Sequence, residues 1–387
     1  MIHLSSLPPL SLYVHIPWCV RKCPYCDFNS HEARGEMPQQ AYADALIRDL
    51  EQALPLVWGR RVQTIFFGGG TPSLLSETVL DDILCRVRAL LPLAYGAEIT
   101  LEANPGTAEA GKFKAFRAAG VNRLSLGIQS FNDAHLQALG RIHAAAEAKR
   151  AVEMALATFD NVNLDLMYAL PQQSLEQALA DLRTAISYAP QHISAYHLTI
   201  EPNTAFHHRP PPLPDDDASA AMQEAIEAEL DSAGYGHYET SAFAAVGKQC
   251  RHNLNYWQFG DYLGIGAGAH SKLSFADRIL RQARLKHPAA YLKGVENAGH
   301  IDSERTLTRH DLEFEFMMNA LRLTGGFPVT LFQERTGLPI SNVDAALVEA
   351  ANKGLIERDH LHIAPTAHGQ RFLNELLQLF LPDSRLV

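Results

Sequence analysis

Three cysteines packed into eight residues are the side chains best suited to chemistry. Cys19, Cys23 and Cys26 form a C-x3-C-x2-C run directly after the first predicted strand. Thiolates at this spacing can wrap a loop around one iron–sulfur cluster and supply three ligands, which leaves one iron open to another molecule. The alternative is a structural zinc site completed by His15 or His31, but zinc sites usually pair their cysteines in two separated knuckles. The spacing therefore favours a cluster.

A glycine-rich run, GGGTP at residues 68–72, follows the second predicted strand. Three consecutive glycines let the backbone approach a small charged ligand closely. Such a run is by itself more often a simple turn. Because it lies beside the cysteine loop, on the face where the loops of a βα barrel build active sites, we interpret it as a ligand-binding loop.

Polar side chains stand at the ends of three later strands. Glu102, Gln129 and Asp165 each follow an apolar run, so each would project into the ligand face of a barrel. Singly, each is better explained as an N-cap or a buried hydrogen-bonded residue, and their recurrence is what favours a common site. Arg141 is able to bind a carboxylate bidentately, although a solvated arginine at a helix end is the default for an isolated case.

His252 begins the run HNLNYW at residues 252–257. A histidine beside flat aromatic rings can bind a heme iron while the rings pack on the macrocycle. Lone histidines are nevertheless far more often structural residues of an aromatic core. From the residue types alone, the structural interpretation is favoured.

Between residues 11 and 200, short apolar runs alternate with amphipathic segments, and the elements they form would position these residues. The pattern is typical of βα units around a parallel sheet, with α/β as the fold class. Six units allow an open or partial barrel as readily as a closed one of eight, and a doubly wound sheet is the competing topology. The strands are predicted at residues 12–16, 62–67, 97–102, 123–128, 162–167 and 192–198, and the clearest helices at 40–54 and 174–187.

The chain divides into three predicted parts: a barrel at residues 1–240, a connecting segment at 241–300 and a C-terminal unit at 301–387. That unit combines helices, a hairpin and a final helix at 367–381, which resembles a small α+β winged-helix domain. Its third helix carries no cluster of Arg and Lys, so we expect packing or docking rather than DNA binding.

Composition narrows the function classes further. The chain has 387 residues, 47% of them hydrophobic, and a net charge of −10, which argues against disorder and against broad nucleic-acid binding. Five cysteines, an odd number, suit a reducing compartment better than a disulfide framework. Because no apolar stretch approaches the ~18 residues of a membrane span and the first residues lack a signal-peptide pattern, we predict a cytoplasmic protein.

The motifs together resemble the radical S-adenosylmethionine (SAM) superfamily. The resemblance covers nearly the whole chain and includes YVHIP at residues 13–17, the cysteine loop, GGGTP at 68–72, LEANP at 101–105, SLGIQSF at 125–131 and NLD at 163–165. It implies a partial (β/α)6 barrel and a [4Fe–4S] cluster whose open iron is chelated by SAM. By resemblance, the cluster ligands are Cys19, Cys23 and Cys26, and the SAM contacts are Tyr13, Gly69, Gly70, Thr71, Glu102, Gln129, Arg141 and Asp165.

Within that superfamily the chain is similar to the oxygen-independent coproporphyrinogen III oxidases. Those enzymes carry a further cysteine where this chain has Phe28, and they have a longer segment before the residue that corresponds to Tyr13. Both departures, together with the HNxxYW run, resemble the heme-chaperone branch of the group. The resemblance implies a protein that binds heme, with His252 as the best heme contact, and passes it to an acceptor protein, for example a membrane-associated respiratory enzyme. An electron donor is a further expected partner, and nucleic acid is not.

Two alternatives belong to other classes. The first is an oxidative decarboxylase that converts two propionates of coproporphyrinogen III into vinyl groups, and product analysis with SAM and a reductant distinguishes it. The second is a zinc-stabilised binding module, which a near-stoichiometric four-iron content would reject.

Overall fold

Short runs of β-branched and aliphatic residues form the strands of one large sheet and two small ones. The computed structural model describes residues 2–108 and 110–381. In chain order the strands are β1 (Leu10–Ile16), β2 (Trp18–Cys19), β3 (His31–Glu32), β4 (Val62–Gly69), β5 (Leu93–Ala103), β6 (Arg123–Gln129), β7 (Val162–Tyr168), β8 (His192–His197), β9 (Gly236–Glu239), β10 (Ala242–Ala244), β11 (Asp261–Ile265), β12 (His270–Ser274), β13 (Ile279–Arg284), β14 (Ile301–Thr306), β15 (Phe327–Pro328), β16 (Ile356–Arg358) and β17 (His362–Pro365).

Amphipathic segments between the strands form helices. In chain order they are α1 (Gln39–Val57), α2 (Glu77–Leu90), α3 (Ala110–Ala119), α4 (Asp133–Ala138), α5 (Ala145–Leu156), α6 (Leu175–Ser187), α7 (Ala205–His208), α8 (Asp216–Ser232), α9 (Arg251–Trp257), α10 (Pro288–Glu296), α11 (Arg309–Ala320), α12 (Val329–Thr336), α13 (Asp344–Asn352), α14 (Ala367–Arg371) and α15 (Leu373–Gln378). A capping box begins α6, because Ser174 Oγ accepts from Gln177 N at 3.3 Å and Gln177 Oε1 accepts from Ser174 N at 2.9 Å.

The large sheet has twelve strands in the order β14-β13-β12-β11-β1-β4-β5-β6-β7-β8-β10-β9. The six predicted strands are confirmed as β1, β4, β5, β6, β7 and β8, and neighbours in this series pair in parallel. Each is followed by a helix, as the α/β prediction requires. Since parallel strands covered by helices end at one edge, the loops after these strands share one face of the sheet.

Residues 241–300, predicted as a connecting segment, instead extend the sheet beyond the six strands. β11 pairs in parallel with β1, and β12, β13 and β14 continue the edge antiparallel. The glycine run after β11 makes this possible: a Cβ on Gly264 would lie 2.1 Å from the His270 carbonyl oxygen. Only glycine allows the two strands to approach so closely.

A buried carboxylate joins this extension to α1. Asp49 accepts hydrogen bonds from Arg284 Nη2 at 3.1 Å, Tyr291 Oη at 2.8 Å, His300 Nε2 at 3.0 Å and Gly266 N at 3.1 Å. Burial by itself would raise the pKa of Asp49, but Arg284 and His300 more than offset it, so the pKa lies below its ordinary value. The ion pair therefore holds the added strands against the first helix.

The C-terminal unit has the predicted winged-helix arrangement. Its sheet has the order β15-β17-β16, and α11, α12 and α13 pack beside it. The single final helix predicted at 367–381 is wrong in detail. Phe372 adopts φ −107° and ψ 41°, which is not helical, so the segment is divided into α14 and α15.

Among residues 2–108 and 110–381, no helix combines the length and apolarity that crossing a bilayer requires.

Candidate functional site

The three cysteines of the loop after β1 line one cavity of about 510 Å³. The loop is closed at its base by the parallel pair β2 and β3, in which Trp18 lies opposite His31. Cys19, Cys23 and Cys26 are each half-buried. Within the described part of the chain, no group of three His, Cys, Asp or Glu side chains already has the arrangement of a metal site.

Each thiol has a polar neighbour within the cavity. Thr71 Oγ1 donates to Cys19 Sγ at 3.5 Å and Arg141 Nη1 to Cys23 Sγ at 3.6 Å. Burial raises the pKa of the Cys19 thiol, which favours its neutral form, and a bound metal reverses that preference. The neighbours thus suit sulfurs that carry negative charge on a metal.

The glycine loop after β4 has no room for side chains. A Cβ on Gly70 would lie 2.5 Å from the Trp18 carbonyl oxygen, and one on Gly69 would lie 2.4 Å from the His15 ring. Gly69 also has φ +110°, a conformation that L side chains rarely adopt. The loop backbone therefore reaches the cavity wall next to the cysteine loop.

Gln129 is held in an unusual backbone conformation at the end of β6. Its φ is +67°, and the pairing of β6 with β7 shifts register between Gly127 and Gln129. Such a bulge re-aims a side chain, and here Gln129 lines the cavity. A strained non-glycine residue at a cavity wall is typical of a binding site.

Two buried carboxyl groups line the same cavity. Glu102 accepts from Gly69 N at 3.3 Å, and Asp165 accepts from Ser125 Oγ at 2.9 Å and Asn163 Nδ2 at 2.8 Å. Burial, with a contribution from the charge of Asp165, raises the pKa of Glu102 to about 8. At neutral pH Glu102 is therefore mostly protonated and can donate a hydrogen bond.

Arg141 supplies positive charge to the cavity, which Arg21 also lines. Its Nη2 donates to the Gly127 carbonyl oxygen at 2.7 Å, while its buried Nε has no hydrogen-bond partner among the described residues. An orphaned donor beside three thiols and a glycine loop fits a ligand that brings a carboxylate next to a metal cluster. The residues present therefore fit a three-thiolate cluster together with the amino-acid end of SAM.

Two predicted site residues lie apart from this cavity. Tyr13 lines a second cavity of about 630 Å³, which shares Gly69 and Glu102 with the first. His252 lines neither. It is 1% exposed, its Nδ1 lies 2.7 Å from Thr64 Oγ1, and its ring stacks on Phe66 with centroids 4.9 Å apart.

Several lining residues were not singled out from the sequence. Met167 on β7 and Tyr196 on β8 face the first cavity, as do Ser125 and Tyr25. Strand alternation was the available signal for the first two, since Met167 and Asp165 are two residues apart and point to one side of the sheet.

Comparison with known proteins adds the family. Residues 13–185 match the radical SAM superfamily, and residues 307–372 match the HemN C-terminal domain. A relative from Escherichia coli (strain K12), named heme chaperone HemW, is 52% identical over 98% of this chain and 100% of its own length. The chain belongs to the HemW family. A second HemW, from Haemophilus influenzae, is 50% identical over 98% of this chain and 100% of its own length.

More distant relatives share the architecture. A mouse protein named radical S-adenosyl methionine domain-containing protein 1, mitochondrial, is 36% identical over 98% of this chain and 89% of its own length. The solved structure of coproporphyrinogen III oxidase (HemN) from Escherichia coli, titled a radical SAM enzyme, superimposes with a TM-score of 0.82. It is 25% identical and is matched over 97% of this chain and 90% of its own. The predicted α/β fold with a C-terminal domain, and membership of the HemW family within the radical SAM superfamily, are thus confirmed.

Proposed function

We propose that this protein is a heme chaperone that binds heme and passes it to an acceptor protein, and that it carries a [4Fe–4S] cluster and SAM. The observation that carries the proposal is the name of the relatives that match the chain from end to end, heme chaperone HemW. The geometry supports it, because the thiol-lined cavity adjoins a larger one with aromatic walls. The acceptor, the electron donor and a cytoplasmic location stay predictions.

In this proposal Cys19, Cys23 and Cys26 hold the cluster. When bound, the cluster and SAM would supply one-electron chemistry at this cavity. The protein's own contribution is to orient the ligand: Arg141 receives a carboxylate, and protonated Glu102 donates a hydrogen bond. Further SAM contacts are proposed at Tyr13, Gly69, Gly70, Thr71, Gln129 and Asp165.

His252 is proposed to support heme binding through the residues that face the second cavity. Its ring makes an edge contact with Tyr256, with centroids 4.9 Å apart, and Tyr13 lies 6.4 Å away. Both tyrosines line that cavity. The backbone of α9 is fixed as well, because the Glu98 carboxylate accepts from Arg251 N and His252 N at 3.1 Å each.

The second candidate function is oxidative decarboxylation of coproporphyrinogen III. The close superposition on the oxidase HemN favours it. Phe28, at the position of the oxidases' additional cysteine, counts against it. Incubation of the cluster-loaded protein with the porphyrinogen, SAM and a reductant, followed by product analysis, separates the two, since a chaperone leaves both propionates intact.

The chaperone proposal is tested by an anaerobic heme titration followed by absorbance, and then by mixing the loaded protein with an apo-form of a heme protein. Saturable binding and appearance of the acceptor's own heme spectrum are expected. His252→Ala should weaken heme binding at unchanged cluster content. A wild-type protein that binds no heme would overturn the proposal and leave the decarboxylase as the function to assay.

A further inference from the structure

The second cavity has the volume and wall chemistry of a site for a large flat ring. Its volume is about 630 Å³, within the range of sites that bury a cofactor-sized ligand. Tyr13, Tyr256 and Tyr262 line it, and the rings of the last two meet edge to face with centroids 4.4 Å apart. Such aromatic surfaces pack well against a macrocycle.

Three histidines line this cavity, and two of them present no accessible ring nitrogen to it. His15 has Nδ1 3.1 Å from Tyr13 Oη and Nε2 2.9 Å from the Asn29 carbonyl oxygen. His31 packs edge to face on His287 with ring centroids 5.5 Å apart, and its Nε2 is buried without a hydrogen-bond partner among the described residues. A ligand could reach a ring nitrogen of His15 only by breaking these contacts, and the buried Nε2 of His31 only if the ring moved.

His270 is the histidine that remains. It is the first residue of β12, it is exposed, and its ring makes no hydrogen bond with a residue the structure describes. Its backbone is held rigidly, because the close approach of Gly264 fixes the turn between β11 and β12. A fixed backbone with a free imidazole is the arrangement expected of an axial ligand.

The rim carries charge that suits the two propionates of heme. Lys22 and Lys286 are exposed at the cavity, and Lys22 Nζ is held by the Phe28 and Ser30 carbonyl oxygens at 3.1 Å and 3.3 Å. Asp27 is the opposing charge at the rim. Two ammonium groups against one exposed carboxylate favour an anionic edge.

Phe28 stands between the two cavities. It lines both, and 64% of its side chain is exposed. Its exposed ring offers an apolar surface on which a flat ligand can pack. Its position lets a flat ligand in the second cavity lie next to the cluster loop.

We propose that heme occupies this second cavity with His270 as an axial ligand of its iron, its propionates on Lys22 and Lys286 and Phe28 against its ring. The inference rests on the proposed function and adds the site at which the same heme binds. Coordination needs only that the imidazole lone pair displace a weaker ligand, such as water, from the iron, so no electron or proton is transferred. Partial desolvation at the cavity wall, with Arg281 nearby, lowers the pKa of His270 and keeps the imidazole neutral at pH 7.

The test replaces the proposed iron ligand, His270, and then adds free imidazole to take its place. His270→Gly and the control His208→Ala, an exposed histidine on α7 that lines neither cavity, are loaded with ferric heme after cluster reconstitution. Absorbance and electron paramagnetic resonance then report the axial ligands. We expect His270→Gly to lose the wild-type Soret position and to bind heme at least tenfold more weakly, and added imidazole to restore the wild-type spectrum.

A second variant separates ligation from misfolding. Lys22→Ala combined with Lys286→Ala should weaken heme binding several-fold while leaving the Soret position unchanged, because the iron ligand is intact. If His270→Gly binds heme with the wild-type spectrum and affinity, the inference is overturned while the proposed function stands. If the wild type itself binds no heme, both are overturned.

Discussion

Gly70 occupies a position where even a methyl group has no room. Gly70→Ala would place its Cβ 2.5 Å from the Trp18 carbonyl oxygen, so the two backbone segments must separate. We expect a loss of about 1–3 kcal/mol in the free energy of unfolding, typical of overpacking, and poorer iron incorporation because the cysteine loop moves with Trp18. Urea unfolding and iron and sulfide analysis measure the two effects.

Gly111→Ala is the matched control. Nothing lies within 4 Å of a Cβ at that position in α3, where alanine is the better helix former. Its stability should be equal to or slightly above that of the wild type. If Gly70→Ala had the stability and iron content of the wild type, that result would contradict the close approach described for this loop.

Glu102 makes stability depend on pH in an unusual direction. Burial and Asp165 raise its pKa to about 8, whereas an unfolded glutamate ionises near ~4.3. The stability this group contributes is complete below the unfolded value and is lost as pH rises to the folded value, at up to roughly 1.4 kcal/mol per pH unit. Glu102→Gln should remove that loss, so the cluster-free variant gains stability over the wild type between pH 5 and 8.

Urea unfolding at several pH values measures this difference. Glu176→Gln, on the exposed face of α6, is the control and should follow the wild-type pH profile. A Glu102→Gln profile that runs parallel to the wild type would show that Glu102 ionises normally in the folded chain.

The cysteine loop and the strand-end carboxyls could be predicted because their signal is local. A spacing of three and two residues between thiols, or a polar residue after an apolar run, is visible in a few consecutive letters. The surroundings of His252 could not be predicted from the sequence, because Thr64 and Phe66 lie nearly 190 residues away along the chain. Its burial comes from tertiary contacts that neither its type nor its aromatic neighbours reveal.

At the scale of elements, hydrophobic periodicity predicted the six parallel strands of the sheet. It did not predict β11 to β14, which extend the sheet beyond β1. β11 to β14 have five or six residues each, and a glycine-rich turn separates β11 from β12, so their pattern is weak. What makes them strands is pairing with β1 and the ion pair between Asp49 and Arg284, which lie 235 residues apart. Long-range pairing of this kind leaves little trace in local sequence.

The ion pair between Asp49 and Arg284 leads to a testable prediction about how α1 is held to the sheet. Asp49→Asn leaves Arg284 charged and buried without a counterion, which typically costs 3–5 kcal/mol of folding free energy. Asp44→Asn, on the same helix, breaks a surface pair with Arg86 and should cost about 0–1 kcal/mol. Urea unfolding of both variants at pH 7 makes the comparison.

The pH dependence of the folding stability tests whether Asp49 is charged in the folded protein. Because the folded pKa of Asp49 is lowered, its stabilisation is present above about pH 4 and is lost as pH falls through the folded value. The stability gap between wild type and Asp49→Asn should therefore shrink in acid. A gap that widens in acid would contradict the charged state assigned to Asp49.

At the scale of the whole molecule, the C-terminal unit shares its core with the sheet. Phe259, which follows α9, packs edge to face on Phe316 of α11 with centroids 5.8 Å apart. Leu4 and Ile279 belong to the same buried cluster, and Arg281 of β13 pairs with Glu315 at 2.5 Å. Residues from the sheet side of this boundary therefore complete the hydrophobic core of the C-terminal unit.

A shared core predicts one unfolding transition. Residues 1–306 expressed alone would expose Phe259, Ile279 and Leu4, so this fragment should aggregate or unfold well below the melting temperature of the full chain. Calorimetry of the cluster-free full chain should show a single cooperative peak. Two peaks, or a monomeric fragment with an unchanged melting temperature, would mean that the C-terminal unit is an independent module. Docking of an acceptor on this unit is accordingly better tested with substitutions at exposed positions, such as Leu361 on the loop between β16 and β17, than by deletion. Deletion would uncover Leu4, Phe259 and Ile279, which pack in the core of the C-terminal unit.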